Sequence, residues 1–235
     1  MAQAAAHAQG HLMLEGAPAA AGPIKAPAGR GRAGARWCEG LPRLQGQLVT
    51  LRELHPSDAP ALASLLTTAE VVRHLAPPPS SVEAFERFIG WTFEQRALGR
   101  FACFGVTIGN FDTAVGLFQL HLHEARAPSA EWGFAIASPF WGTGVFQSGA
   151  RLMMDFAFDV VGVRRLEART AMGNRRAHGA LKKIGAVAEG LLRNACRDAE
   201  GDSDQILWTI LEDDRRGIHG DRSNSATPAT AQPLN

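Results

Sequence analysis

The sequence predicts one mixed α+β domain with loose ends, and three observations carry that prediction. The chain has 235 residues, 46% of them apolar and 20% charged, which is enough for one well-formed core. Between residues 47 and 213, runs that alternate apolar and polar residues are interleaved with stripes of helical period, and no internal repeat is present. Outside those limits the composition changes. Ala, Gly and Pro fill 23 of the first forty residues, and bulky apolar side chains are almost missing there. Such a segment cannot bury enough apolar surface to repay its ordering entropy. We therefore expect 1–46 to be a disordered Ala/Gly/Pro-rich extension, 47–213 the folded domain and 214–235 a disordered tail. The extension carries Arg30, Arg32 and Arg36 but lacks the continuous apolar run of a secretory signal.

Within the domain, residues 48–54 alternate like a strand. Pro56, Ser57 and Asp58 then open a short helix that carries Leu62, Leu65 and Leu66 on one face. After the prolines at 77–79, Ser80 with Glu83 reads as a capping box. The helix it starts puts Val82, Phe85, Ile89 and Phe93 on one stripe and stops near Gly99. Residues 101–107, 114–122 and 130–137 are strand-like, the first two separated by the turn residues Gly109, Asn110 and Asp112. A glycine turn at 139–144 feeds a helix whose charges Arg151, Asp155 and Asp159 recur every fourth residue. That spacing leaves Met153, Met154, Ala157, Phe158 and Val161 for the core. A strand at 165–170, a helix at 175–184 and strands at 187–192 and 205–211 complete the domain.

Charge and cysteine usage narrow the function classes. With 24 basic against 23 acidic residues the net charge is +1, which gives no global attraction to nucleic acid or to a membrane surface. The longest stretch free of formal charge, 132–150, contains Gly133, Gly142, Gly144, Gly149 and Pro139, so it cannot be one lipid-embedded helix. Three cysteines, Cys38, Cys103 and Cys196, form no CxxC pair. We read them as reduced thiols of a cytoplasmic protein, with neither a disulfide framework nor a structural zinc site. The chain has no tyrosine, so a phenolic acid is excluded.

The chemistry concentrates at the glycine turn. A strand, a Gly-x-Gly turn and a helix expose backbone N–H groups at a helix N-terminus, where phosphate binds without any cationic side chain. A dinucleotide fingerprint would need glycine at 147, where the chain has Gln147. A P-loop reading fails because Ala150 and Arg151 stand where Lys and Ser/Thr are required. Two readings of the turn remain, an anion cradle and a plain tight turn.

The segment Glu131-Trp-Gly-Phe-Ala-Ile-Ala-Ser-Pro-Phe-Trp-Gly-Thr-Gly144, followed by Met153-Met-Asp-Phe-Ala-Phe158, resembles the acetyl-CoA-binding core of GNAT-fold N-acetyltransferases. The branch it most resembles is the one that acetylates ribosomal-protein N-termini at alanine or serine. The resemblance spans roughly 47–212. It includes Leu51-Arg52-Glu53-Leu54 with Asp58, and Asn174-Arg-Arg-Ala177 through Lys183-Ile-Gly185-Ala186. It implies a central, twisted, mostly antiparallel sheet of six to seven strands flanked by about four helices. It also implies acetyl-CoA as co-substrate, no metal, and direct attack of a primary amine on the thioester. By position, Gly142, Thr143, Gly144, Val145 and Phe146 would bind the CoA pyrophosphate, Phe134, Ala135 and Ile136 would pair with the pantetheine arm, and Asn174 would contact the pantetheine or thioester region. Ala177 replaces the Ser that serves relatives as a candidate acid, and His178 beside it is a substitute candidate.

Glu131 is the candidate base, either as its family counterpart is used or, alternatively, as a plain carboxylate at a strand end. His121 and His123 share a strand face, which fits a half-exposed hairpin better than a metal pair lacking a third ligand. Trp91, Trp132 and Trp141 are expected in the core or along the cofactor channel. Residues 164–183 hold seven basic side chains against Glu167 alone, a concentration that steers a polyanion such as CoA. Without interleaved aromatics it is a poor nucleic-acid footprint. The expected partners are acetyl-CoA and an amine acceptor, either a protein N-terminus or a small molecule, with no membrane or nucleic acid, and the chain a monomer or homodimer. The competing class is a non-catalytic acyl-CoA-binding or ribosome-associated module.

Overall fold

The computed structural model describes residues 36–73, 79–122, 129–198 and 201–215. Its centre is one eight-stranded sheet. The strands are β1 (Leu44–Gln45), β2 (Val49–Glu53), β3 (Phe101–Ile108), β4 (Gly116–Leu122), β5 (Ser129–Ile136), β6 (Arg165–Ala171), β7 (Val187–Asp198) and β8 (Gly201–Leu211). They lie in the order β1-β2-β3-β4-β5-β6-β8-β7, and every pairing is antiparallel except β5 with β6. The mostly antiparallel expectation therefore holds, with β1 adding an eighth strand at one edge.

Five α-helices are described: α1 (Ala59–Leu66), the single turn α2 (Ala69–Val72), α3 (Val82–Ala97), α4 (Val145–Asp155) and α5 (Arg175–Lys183). The alternation of the strands sorts their side chains between two cores. Phe104, Phe118, Leu120, Trp132, Leu166 and Trp208 face the side of α4 and α5, against Met153, Met154 and Leu181. Phe101, Cys103, Leu117 and Ala135 face α1 and α3, against Leu62, Phe85 and Ile89. Burial on both faces is why the central strands read as near-continuous apolar runs. Gly149 sets how closely α4 seats on the sheet, because a Cβ there would lie 2.4 Å from Cε2 of Phe118.

Several sequence expectations need correction. The N-cap of α3 is Ser81, whose Oγ accepts from the Ala84 N–H at 3.2 Å, one residue beyond the expected Ser80. Phe88 and Thr92 join Phe85 and Ile89 as the fully buried residues of α3, and the expected Val82 and Phe93 are half-buried, packed against the same core. The helix after the glycine turn does not stay regular. From Phe156 to Val161 it widens into a π-helical turn, closed by Gly162 at φ +83°.

The expected start of the domain at residue 47 also moves. Trp37 is 4% exposed and meets Phe156 edge-on at 6.2 Å. The Cys38 carbonyl accepts from Arg96, and β1 pairs with β2. A single large aromatic side chain buries enough surface to anchor a segment whose average composition argues against order. At the other end the domain reaches Arg215, which pairs with Asp159 at 2.7 Å and with Asp155 at 3.4 Å. The rest of the expected extension and tail, with the prolines at 77–78 and His123, lies outside the described residues.

The first loop is fixed by charge. Arg52 binds both oxygens of Asp58 at 2.7 and 2.8 Å and reaches Asp112 at 2.8 Å. Asp58 is 4% exposed and also accepts from the His55 N–H at 2.7 Å. This buried bidentate pair ties β2, the start of α1 and the β3–β4 hairpin together.

Candidate functional site

The glycine turn folds as a sequence of short local bonds. A 3-10 turn at Ser138–Phe140 follows β5, and the Trp141 indole donates back to the Ile136 carbonyl at 2.7 Å. Thr143 Oγ1 donates to the Phe140 carbonyl at 2.7 Å. Gly142 and Gly144 take φ of +78° and +89°, a region that side chains bearing a Cβ resist. Gly144 is the N-cap of α4 and no side chain caps that helix. Its first-turn N–H groups, from Val145 onward, therefore point outward carrying the positive end of the helix dipole. Nothing lies within 4 Å of where a Gly142 Cβ would project, so the space over the turn is open.

Beside the turn, the sheet comes apart. β5 pairs with β4 from Ala130 opposite Leu122 to Ile136 opposite Gly116. With β6 it pairs only at Ser129, Ala130 and Glu131, opposite Arg165, Leu166 and Glu167. Beyond Glu131 the two strands part, and the edge formed by Phe134, Ala135 and Ile136 has no strand partner on that side among the described residues. Unpaired backbone groups at such an edge are ready to bond an amide-bearing chain. The Phe134 ring packs tilted against Phe146, centroids 4.5 Å apart, joining the open edge to the first turn of α4.

The third cofactor candidate, Asn174, is the N-cap of α5, where its Oδ1 accepts from the Ala177 N–H at 3.0 Å. That leaves only its amide NH2 for a ligand. The same helix reaches the glycine turn through Arg176, whose guanidinium lies 4.0 Å over the Trp141 ring.

Glu131 sits where β5 and β6 part and is 9% exposed. Its register partners are His121 on β4 and Glu167 on β6. Burial pushes its carboxyl up to about 7, against the pull of Arg169, and Glu167 adds to the rise. Nη1 of Arg169 lies 3.7 Å from Oε2 of Glu131. The carboxylate is thus neither a solvated strand-end charge nor a tightly clamped structural one.

Other candidates take structural duties. Nε2 of His178 is 3.1 Å from the Ala171 carbonyl and its ring packs 5.6 Å from Trp208. Trp132 is buried and stacks on Phe118. Trp91 is half-buried beside Phe101 at 5.0 Å. The basic run divides. Arg164, Arg165 and Arg169 are engaged with Glu212, with Glu167 and Glu189, and with Glu131. Arg175, Arg176, Lys182 and Lys183 form the exposed face of α5. Among the described residues, no group of three or more His, Cys, Asp or Glu is placed to hold a metal ion. No described helix is long and apolar enough to cross a membrane. The sequence places Arg169 in the basic run but does not pair it with Glu131. The signal available was the alternation of β6, which puts Arg165, Glu167 and Arg169 on one face.

The chain is similar to known proteins in sequence and in fold. The model of the acetyltransferase (GNAT) domain matches residues 49–187. The Bacillus subtilis protein named "Putative ribosomal N-acetyltransferase YdaF" is 25% identical over 177 residues, covering 72% of this chain and 94% of that one. Among solved structures, the ribosomal-protein-S5-alanine acetyltransferase of Vibrio fischeri superposes with a TM-score of 0.67 at 17% identity. That match covers 74% of this chain and 98% of the other. Mycobacterium smegmatis RimJ in complex with CoA-disulfide gives 0.65 at 20% identity, covering 70% and 82%. At those identities the two structures speak for the fold. Since the domain model spans more than half of its residues, the chain belongs to the GNAT acetyltransferase family and is an N-acetyltransferase.

Proposed function

We propose that the protein transfers an acetyl group from acetyl-CoA to a primary α-amine at a protein N-terminus, with Glu131 as general base. The observation that carries the reading is the carboxylate of Glu131, buried and pushed up to about 7 at the point where the sheet opens. A base near 7 is matched to an α-amine of pKa about 8, and poorly matched to a lysine side chain of about 10.4. The name of the Bacillus subtilis relative, a ribosomal N-acetyltransferase, supports a protein acceptor.

The residues present fit acetyl-CoA, the family's acyl donor. The uncapped first turn of α4, with Gly142, Thr143, Gly144, Val145 and Phe146, would hold its pyrophosphate by backbone N–H groups. The open edge at Phe134, Ala135 and Ile136 would pair with the amides of its pantetheine arm, and the Asn174 NH2 would add one donor. When bound, acetyl-CoA supplies an acetyl group already activated as a thioester. The chain's own part is to hold the acceptor against it and to move one proton. Glu131 takes that proton from the incoming ammonium, directly or through one water, so that the amine attacks in neutral form. An unpaired β5 N–H polarises the carbonyl oxygen. No side chain stands as acid at Ala177, and the departing thiolate takes its proton from solvent or from the attacking amine.

The test is CoA release over a panel of N-terminal peptides, ribosomal proteins, polyamines and aminoglycosides. Turnover with free N-terminal peptides and none with N-blocked peptides is expected. Turnover confined to polyamines or aminoglycosides would contradict the protein acceptor, and no turnover with any amine would favour the non-catalytic module.

A further inference from the structure

Two guanidinium–carboxylate pairs of this protein are built in opposite ways. Arg52 grips both oxygens of Asp58 at 2.7 and 2.8 Å, a geometry that keeps a carboxylate ionised and consumes its lone pairs. Nη1 of Arg169 lies 3.7 Å from Oε2 of Glu131, which is ion-pair range and too long for a hydrogen bond. Arg169 therefore acts on Glu131 by charge and takes up none of its lone pairs.

The placement follows from register. β6 alternates, so Leu166, Ala168 and Thr170 face α4 and α5, where Trp208 donates to Thr170 at 3.0 Å. Arg165, Glu167 and Arg169 face the other way, onto the side of the sheet that carries Glu131. The last paired position of the parting strands sets Glu131 beside Glu167, two carboxylates in one half-buried place. Each has its own cation. Glu167 is held by Arg165 at 2.6 Å, and Arg165 also bonds Glu189 at 2.6 Å. Arg169 comes from two residues further along β6, past the point of parting, and reaches back to Glu131. Its Nε is buried with no hydrogen-bond partner among the described residues, so no bond at that atom competes with the pairing to Glu131.

We propose that Arg169 is a positioning residue for acetyl transfer, fixing the Glu131 carboxylate at the opening between β5 and β6 where the acceptor amine arrives. This rests on Glu131 being the general base. The titratable and charged groups on its side of the sheet are His121 from β4 and Arg165, Glu167 and Arg169 from β6, with Glu189 of β7 beyond them, held by Arg165 and by Thr209 of β8. Burial and Glu167 both favour the protonated form of Glu131, and Arg169 opposes them. Removing Arg169 therefore leaves a carboxyl that ionises only at higher pH.

The experiment is the pH profile of kcat/KM for the full chain and for Arg169→Met, Arg169→Lys, Glu131→Gln and the double variant, with CoA affinity by calorimetry alongside. The ascending limb of Arg169→Met should move up by about one pH unit or more, the usual effect of one nearby opposite charge. CoA affinity should be unchanged, and the rate should recover toward wild type near pH 9. Arg169→Lys should keep the limb close to wild type. The double variant should fall no further than Glu131→Gln alone. If Arg169→Met does not fold, Arg169→Gln carries the same expectation. A limb that stays at the wild-type pH without Arg169, while Glu131→Gln abolishes it, would overturn the positioning role and leave the base assignment standing. A Glu131→Gln profile identical to wild type would remove the base and this proposal with it.

Discussion

The guanidinium of Arg176 lies 4.0 Å over the ring of Trp141 and so joins the start of α5 to the glycine turn before α4. With Arg175, Lys182 and Lys183 it makes an exposed helix face without one acidic residue on α5. If that face meets the 3′-phosphate of CoA, CoA should bind more tightly than dephospho-CoA by about 1–2 kcal/mol at low salt, the scale of one charge-assisted contact. The gap should narrow as salt rises and close in Arg176→Ala. Equal affinities for the two ligands at low salt would assign these cations to another partner.

The turn itself is tested by Gly144→Val. With φ at +89°, a β-branched side chain strains the backbone of the cap by about 1–3 kcal/mol, and its Cβ would lie 3.5 Å from Cδ2 of Leu48. The variant should fold, as judged by circular dichroism, and lose CoA affinity by at least roughly tenfold. Calorimetry that finds undiminished affinity would refute the phosphate-cradle reading.

Trp37 anchors the chain ahead of β1. Trp37→Ala should lower stability by about 3–5 kcal/mol, the range for emptying a buried aromatic site. Deleting residues 1–40 should therefore destabilise the domain, because the cut removes Trp37 and the Cys38 carbonyl that Arg96 binds. Equal chemical denaturation midpoints for Trp37→Ala and wild type would return the domain boundary to residue 47.

These features differ in how far the sequence alone reveals them. The glycine turn and Glu131 are legible because their signals are local, a strand running into Gly142 and Gly144 and then an apolar helical stripe. The N-cap of α3 was displaced by one residue because Ser80 and Ser81 are both competent caps, and only the observed backbone chooses Ser81. Arg169 was not legible as a partner of Glu131, since 38 residues separate them and their meeting depends on where β5 leaves β6. Trp37 was hidden by averaging, one large side chain in a segment of small ones. The π-helical turn at Phe156–Val161 has no signal in the apolar pattern, which continues through it unchanged.

Burial of Glu131 carries a cost in stability that depends on pH. Its carboxyl is raised from 4.5 to about 7 on folding, so the native state holds the proton more tightly than the unfolded chain. Stability is then greatest below about 4.5 on this account and falls as pH rises through about 7, by on the order of 3 kcal/mol in total. Glu131→Gln removes that dependence and should be more stable than wild type at pH 8, with little difference near pH 4.5. Parallel melting curves for the two proteins across that window would show that Glu131 is not desolvated.

The central claim, that Glu131 is the base, is tested most directly by the turnover of Glu131→Gln on an N-terminal peptide as a function of pH. The expected result is a loss of roughly 10²-fold near pH 7, the usual worth of a general base, with CoA affinity unchanged. The loss should shrink above the pKa of the amine, about 8, where the acceptor is neutral without help. A rate equal to wild type at every pH would contradict the account, leaving orientation of amine and thioester as the whole of the catalysis.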